Sequence, residues 1–137
     1  MSVLLDAFAL IALLAEEPAA QEVETLLRTG EAAITAVNLA EALDVLQRVQ
    51  GIPRERLQTV TAPLVGERMK LVAIDEQIAR DAADIRARHY HRTRGPLSLA
   101  DCILLAATSK SDTLATADEP LIRVAEAENL HVKRLPR

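Results

Sequence analysis

Aromatic rings and sulfur are nearly missing from this 137-residue chain, which has one Phe, one Tyr, no Trp and one Cys. With only Phe8 and Tyr90 available, the core must be aliphatic, and a function built on stacking successive bases over rings is disfavoured. A lone Cys102 rules out an intrachain disulfide and a cysteine-rich zinc site. It lies in the apolar run Cys102-Ile-Leu-Leu-Ala-Ala, where a buried small hydrophobe is expected, compatible with a reducing cytoplasm. No apolar stretch approaches the ~20 residues of a membrane span. Ser2-Val-Leu-Leu is broken early by Asp6 and follows no basic segment, so no signal peptide is expected. Strong charge of one sign is also absent. The net charge is −4, and four acids discussed below account for it, so overall charge decides little about partners.

Half of the residues are hydrophobic and 26% are charged, the profile of a globular protein rather than a disordered one. The chain has neither repeat, linker nor low-complexity tract, and reads as a single domain over 1–137. Short apolar runs at Val3–Leu5, Ala32–Thr35, Leu71–Ile74 and Thr113–Thr116 read as strands, with His131–Lys133 as an edge strand. Between them, helical spacing is expected over 7–16, 18–28, 39–49, 53–66, 75–89, 98–107 and 120–128. Strands alternating with helices indicate an α/β fold of three layers, a central, mostly parallel five-stranded sheet flanked by helices.

Four acids occupy special places in that pattern. Asp6 and Asp118 follow strands; Glu41 and Asp101 lie one turn into helices that follow strands or loops. Each has an ordinary explanation. Asp6 and Asp118 fit helix N-caps, and Asn38-x-x-Glu41 and Ser98-x-x-Asp101 resemble capping boxes. Together they point further, because in an open parallel sheet the strand ends line one crevice. Several carboxylates there need a cation, and oxygen-only ligands suit Mg²⁺ or Mn²⁺ rather than zinc. The chemistry implied is phosphoryl transfer or hydrolysis. A phosphatase with Asp6 as nucleophile needs a second Asp two residues on, where Phe8 stands, and no Gly-rich phosphate loop is present.

Val3-Leu4-Leu5-Asp6-Ala7-Phe8-Ala9-Leu10, Ile34-Thr35-Ala36-Val37-Asn38-Leu39-Ala40-Glu41, Leu97-Ser98-Leu99-Ala100-Asp101 and Leu114-Ala115-Thr116-Ala117-Asp118 together resemble PIN-domain proteins, in particular the VapC-type toxin ribonucleases of bacterial toxin–antitoxin pairs. The resemblance spans almost the whole chain, and Leu-Ser-Leu-Ala-Asp is its most specific piece. It implies a PIN domain acting as a Mg²⁺-dependent endoribonuclease, with Asp6, Glu41, Asp101 and Asp118 catalytic and Asp6 and Asp101 as metal ligands. It also implies a cytoplasmic protein with an RNA substrate, a cognate antitoxin with a segment across the acidic groove, and a homodimer; the Ala/Leu-rich surface of residues 36–66 reads as homodimer and antitoxin contact or as helix packing within the domain. A catalytically silent RNA- or protein-binding module is the alternative. One departure stands out: many family members carry Ser or Thr after the first Asp, and this chain has Ala7.

Three further features bear on the site. The run from Arg86 to Arg94 is the densest basic stretch, readable as a solvated helix end or as a phosphate-contacting rim. Thr116 and Ser98 are placed to orient carboxylates through hydrogen bonds. The tail carrying Lys133, Arg134 and Arg137 is either a contact for RNA or plain solvated surface.

Overall fold

Val3–Leu5, only three residues long, forms the central strand β1 of the sheet. The computed structural model describes residues 1–90 and 97–137. Arg92 and Arg94 of the basic run therefore lie outside the described residues. After β1 the order is α1 (Ala7–Leu14), α2 (Ala20–Arg28), β2 (Ala32–Thr35), α3 (Ala36–Arg48), α4 (Arg54–Thr61) and β3 (Lys70–Val72). Then follow α5 (Glu76–His89), α6 (Leu99–Ala107), β4 (Thr113–Thr116), α7 (Glu119–Ala127) and β5 (His131–Arg134). Among the described residues no helix is long and apolar enough to cross a membrane.

The strands lie in the order β3-β2-β1-β4-β5, and every pairing is parallel. Leu4 pairs with Ala33 on one side and Leu114 on the other, while Leu5 pairs with Ile34 and Ala115. Successive side chains of a strand point to opposite faces, so these two rows enter different cores. Leu5, Ile34 and Ala115 pack with Ala9, Leu10, Val23, Leu27 and Ala42 from α1, α2 and α3. Leu4, Ala33 and Leu114 pack with Ala82, Ile85, Leu104, Leu105 and Leu121 from α5, α6 and α7. A strand buried on both faces has no polar alternation, which is why β1, β2 and β4 read as unbroken apolar runs.

Chain direction sets where a ligand would sit. From β1 the chain steps outward through β2 to β3, then returns to the other side of β1 for β4 and β5. The strand order thus reverses between β1 and β4, and ligands of open α/β sheets bind outside the carboxyl ends of strands at such a point.

Several boundaries differ from the sequence reading. Helix α3 begins at Ala36 rather than Leu39, capped by Thr35, whose side chain accepts from the Asn38 N–H. Asn38 is therefore inside the helix, and the expected Asn38–Glu41 capping box does not form. Strand β3 is Lys70–Val72 rather than Leu71–Ile74, because its partner strand ends at Thr35, opposite Val72. The helix expected over 53–66 stops at Thr61 and gives way to turns around Gly66, whose φ of 94° is left-handed.

Candidate active site

Asp6 stands immediately after β1 and caps α1. Its Oδ1 accepts from the Ala9 N–H at 3.0 Å, and its Oδ2 accepts from the Thr116 hydroxyl at 2.5 Å. Thr116, the last residue of the neighbouring strand β4, also accepts from the Asp118 N–H at 3.1 Å. One fully buried hydroxyl thus joins the two strand ends that flank the switch point. Asp118 in turn caps α7, accepting from the Leu121 N–H at 3.1 Å. For Asp6 and Asp118, capping and a place in the crevice coexist.

The other two acids come from the second turn of α3 and the first turn of α6. Ser98 caps α6, its Oγ accepting from the Asp101 N–H at 3.0 Å, which leaves the Asp101 carboxylate facing its neighbours. Glu41 is held by a relay the sequence did not disclose. The Thr35 hydroxyl donates to Asn38 Oδ1 at 2.8 Å, and Asn38 Nδ2 donates to Glu41 Oε1 at 2.9 Å. Since an ionised carboxylate only accepts, the amide nitrogen must face Glu41. Asn38 is 1% exposed, so both ends of its amide are used in the interior. Replacing Asn38 by Ala is expected to cost about 2 kcal/mol of stability, because Thr35 and Glu41 lose their partner. Urea denaturation checks this, and a loss under ~0.5 kcal/mol would show the relay to be incidental.

Electrostatics ties the four acids together. Burial is the main influence on Asp6 and raises its pKa to about 6, with the charges of Asp101 and Asp118 adding to the rise. Asp101 is also raised, by burial and then by Asp118; Glu41 is raised by burial and then by Asp101. Hydrogen bonds from Thr116, Ser98 and Asn38 oppose these rises without cancelling them. Each of the four therefore feels or exerts the charge of another. Asp6, Asp101 and Asp118 sit at helix N-termini, where the dipole favours negative charge, while Glu41 lies one turn further into α3.

The donor set is carboxylate oxygen, the chemistry of a hard divalent cation. Among the described residues no group of three or more His, Cys, Asp or Glu is drawn close enough to cage a metal. A cavity of about 390 Å³ lined by Asp84, Arg88, Thr108 and Lys110 lies elsewhere, at the far ends of α5 and α6.

Sheet order, switch point and acids together define an α/β protein with an acidic crevice at its central strand ends. The chain belongs to the PIN-domain family, whose model matches residues 3–127. Among solved structures it is similar to a chain of DNA-bound VapBC from Salmonella typhimurium, with 17% identity, a TM-score of 0.73 and 98% of each chain covered. FitAcB from Neisseria gonorrhoeae gives 21% identity, a TM-score of 0.67 and 95% of each chain. A toxin–antitoxin complex from Klebsiella pneumoniae gives 21% identity and a TM-score of 0.61, covering 85% of this chain and 87% of that one. No curated protein sequence matches the chain.

Proposed function

We propose that this chain is a metal-dependent endoribonuclease and the toxin of a toxin–antitoxin pair. One observation carries the reading above all: Asp6, Glu41 and Asp101 are all pushed up in pKa, first by burial and then by the charge of Asp101 or Asp118 beside them, around the carboxyl ends of the central strands. The charge of Asp101 and Asp118 bearing on the buried Asp6 carboxylate is relieved by a cation. Asp6 and Asp101 would hold Mg²⁺ or Mn²⁺, with Glu41 and Asp118 completing the site directly or through water. When bound, the ion supplies Lewis-acid stabilisation of charge on the phosphate and a nucleophilic water at neutral pH.

The chain's own residues do the rest. Thr116 donates to Asp6 and fixes the carboxylate's orientation, and Asn38 does the same for Glu41. The positive ends of α1, α3, α6 and α7 favour anions along the crevice, both the carboxylates and an approaching RNA phosphate. Ala7 offers no hydroxyl where many family members have one, and Thr116 is the hydroxyl that reaches Asp6 here.

Partners follow from the same resemblance. A cognate antitoxin and a second copy of the chain would use the surface of residues 36–66, where Val49 and Val60 are exposed. A cavity of about 280 Å³ there is lined by Leu14, Ile52, Pro53 and Val60. The test is to express the chain with and without its neighbouring gene while sequencing newly formed RNA 5′ ends. New ends are expected only when the chain is expressed alone, and purified chain should produce them with Mg²⁺ and not with EDTA. Failure to cut RNA under either condition would defeat the nuclease reading.

A further inference from the structure

Residues 133–137 do not trail away from the domain. Leu135 is buried in the core beside α1 and α2, and its N–H donates to the carbonyl of Thr116 at 2.9 Å. The tail is thereby fixed to the same strand end whose hydroxyl holds Asp6. Its cations then part company. Lys133 lies 3.6 Å from Glu22, and Arg134 pairs with Glu119. Arg137 instead turns to the crevice. Its Nε donates to the Ala117 carbonyl at 3.3 Å, and a terminal nitrogen lies 4.0 Å from Asp118 Oδ1.

Among the described residues, Arg137 is the cation found at ion-pair distance from one of the four acids. Its side chain is 72% exposed. An exposed pair at that separation contributes little, so the guanidinium is placed without being locked. A phosphate oxyanion offers it a stronger, bidentate partner.

We propose that Arg137 is a substrate-binding residue of this crevice, parked at Asp118 in the free chain and transferred to a phosphate of bound RNA. The proposal rests on the nuclease reading and adds a residue that the four-acid motif does not contain.

The experiment measures binding of a short fluorescein-labelled single-stranded RNA in EDTA across a salt series, so that cleavage plays no part. Arg137→Gln is expected to weaken binding roughly three- to tenfold and to lower the salt slope by about 0.7, one phosphate contact being lost. Arg137→Lys, which keeps the charge, should retain the slope while binding somewhat more weakly. Thermal denaturation of both variants checks that the tail remains docked. If Arg137→Gln melts like the parent yet binds RNA with the same affinity and slope, the proposal is overturned and the nuclease reading stands. If the parent chain binds no RNA either in EDTA or with Ca²⁺ in place of Mg²⁺, both fall together.

Discussion

Replacing Asp101 by Asn is expected to lower metal-dependent RNA cleavage by roughly three orders of magnitude, about 4 kcal/mol of transition-state stabilisation. The metal-free fold should keep its stability. Capping and catalysis can be separated here because they use different atoms of one residue. The cap of α6 is the Ser98 Oγ accepting from the backbone N–H of residue 101, and Asn retains that donor. What disappears is the negative charge, which a hard cation needs and which also raises the pKa of Asp6 and Glu41. Thermal stability in EDTA should therefore hold or rise as cleavage collapses. Full Mg²⁺-dependent activity in Asp101→Asn would sink the mechanism, leaving Asp101 as an ordinary first-turn acid. The same substitution logic at Glu41→Gln asks whether the second pair of acids is needed for chemistry.

The second large effect is on stability against pH. Asp6 has its pKa raised to about 6 from 3.8, so burying its ionised form opposes folding. The full difference corresponds to roughly 3 kcal/mol, of which about 0.8 kcal/mol falls between pH ~5.5 and pH ~7.5. This stability is fully present below the unfolded value and is lost as pH rises through about 6. Glu41 and Asp101 act in the same direction. Asp112 and Glu128 are depressed and act oppositely, but their contribution is lost only as pH falls below their ordinary values of 3.8 and 4.5. In EDTA the chain should therefore melt at a higher temperature at pH ~5.5 than at pH ~7.5, a reversal of ordinary acid sensitivity. Mn²⁺ should close the gap by stabilising the ionised site. Asp6→Asn should flatten the dependence. A parent chain whose melting temperature is level or falls towards pH ~5.5 would show that the acids are too well solvated to form the site described.

Much of this architecture was legible because it rests on local rules. The strands β1, β2 and β4 announce themselves as apolar runs, and Asp6 and Asp118 stand out because each ends one. What was hidden depends on neighbours. Strand β3 ends with the pairing partner β2 provides, not with its own apolar residues, so Ala73 and Ile74 read as strand yet lie outside it. Thr35 serves as the last residue of β2 and as the cap of α3. That strand runs into its helix without a loop, and Asn38 takes the appearance of a cap while acting as a buried relay. Arg137 could not be placed from its surroundings in sequence, since its position follows from Leu135 docking on a strand end some twenty residues earlier. The short-range pattern thus reveals the acids, and the long-range packing reveals what holds and faces them.

The central position of β1 has a consequence for how the protein comes into being. Its first partner, β2, is synthesised soon afterwards, but its other neighbour is not. Thr116, which anchors Asp6, stands 110 positions later in the chain. At ordinary translation speeds that interval is roughly 6–20 s. Through that time the first strand lacks one flank and Asp6 lacks both its hydroxyl partner and the company of Asp101 and Asp118. A chain still emerging from the ribosome, or one cut short by premature termination before β4, cannot assemble the crevice. On the nuclease reading, a cell making this protein is exposed to finished molecules and not to fragments, and any neutralising partner has the length of one translation event in which to be ready.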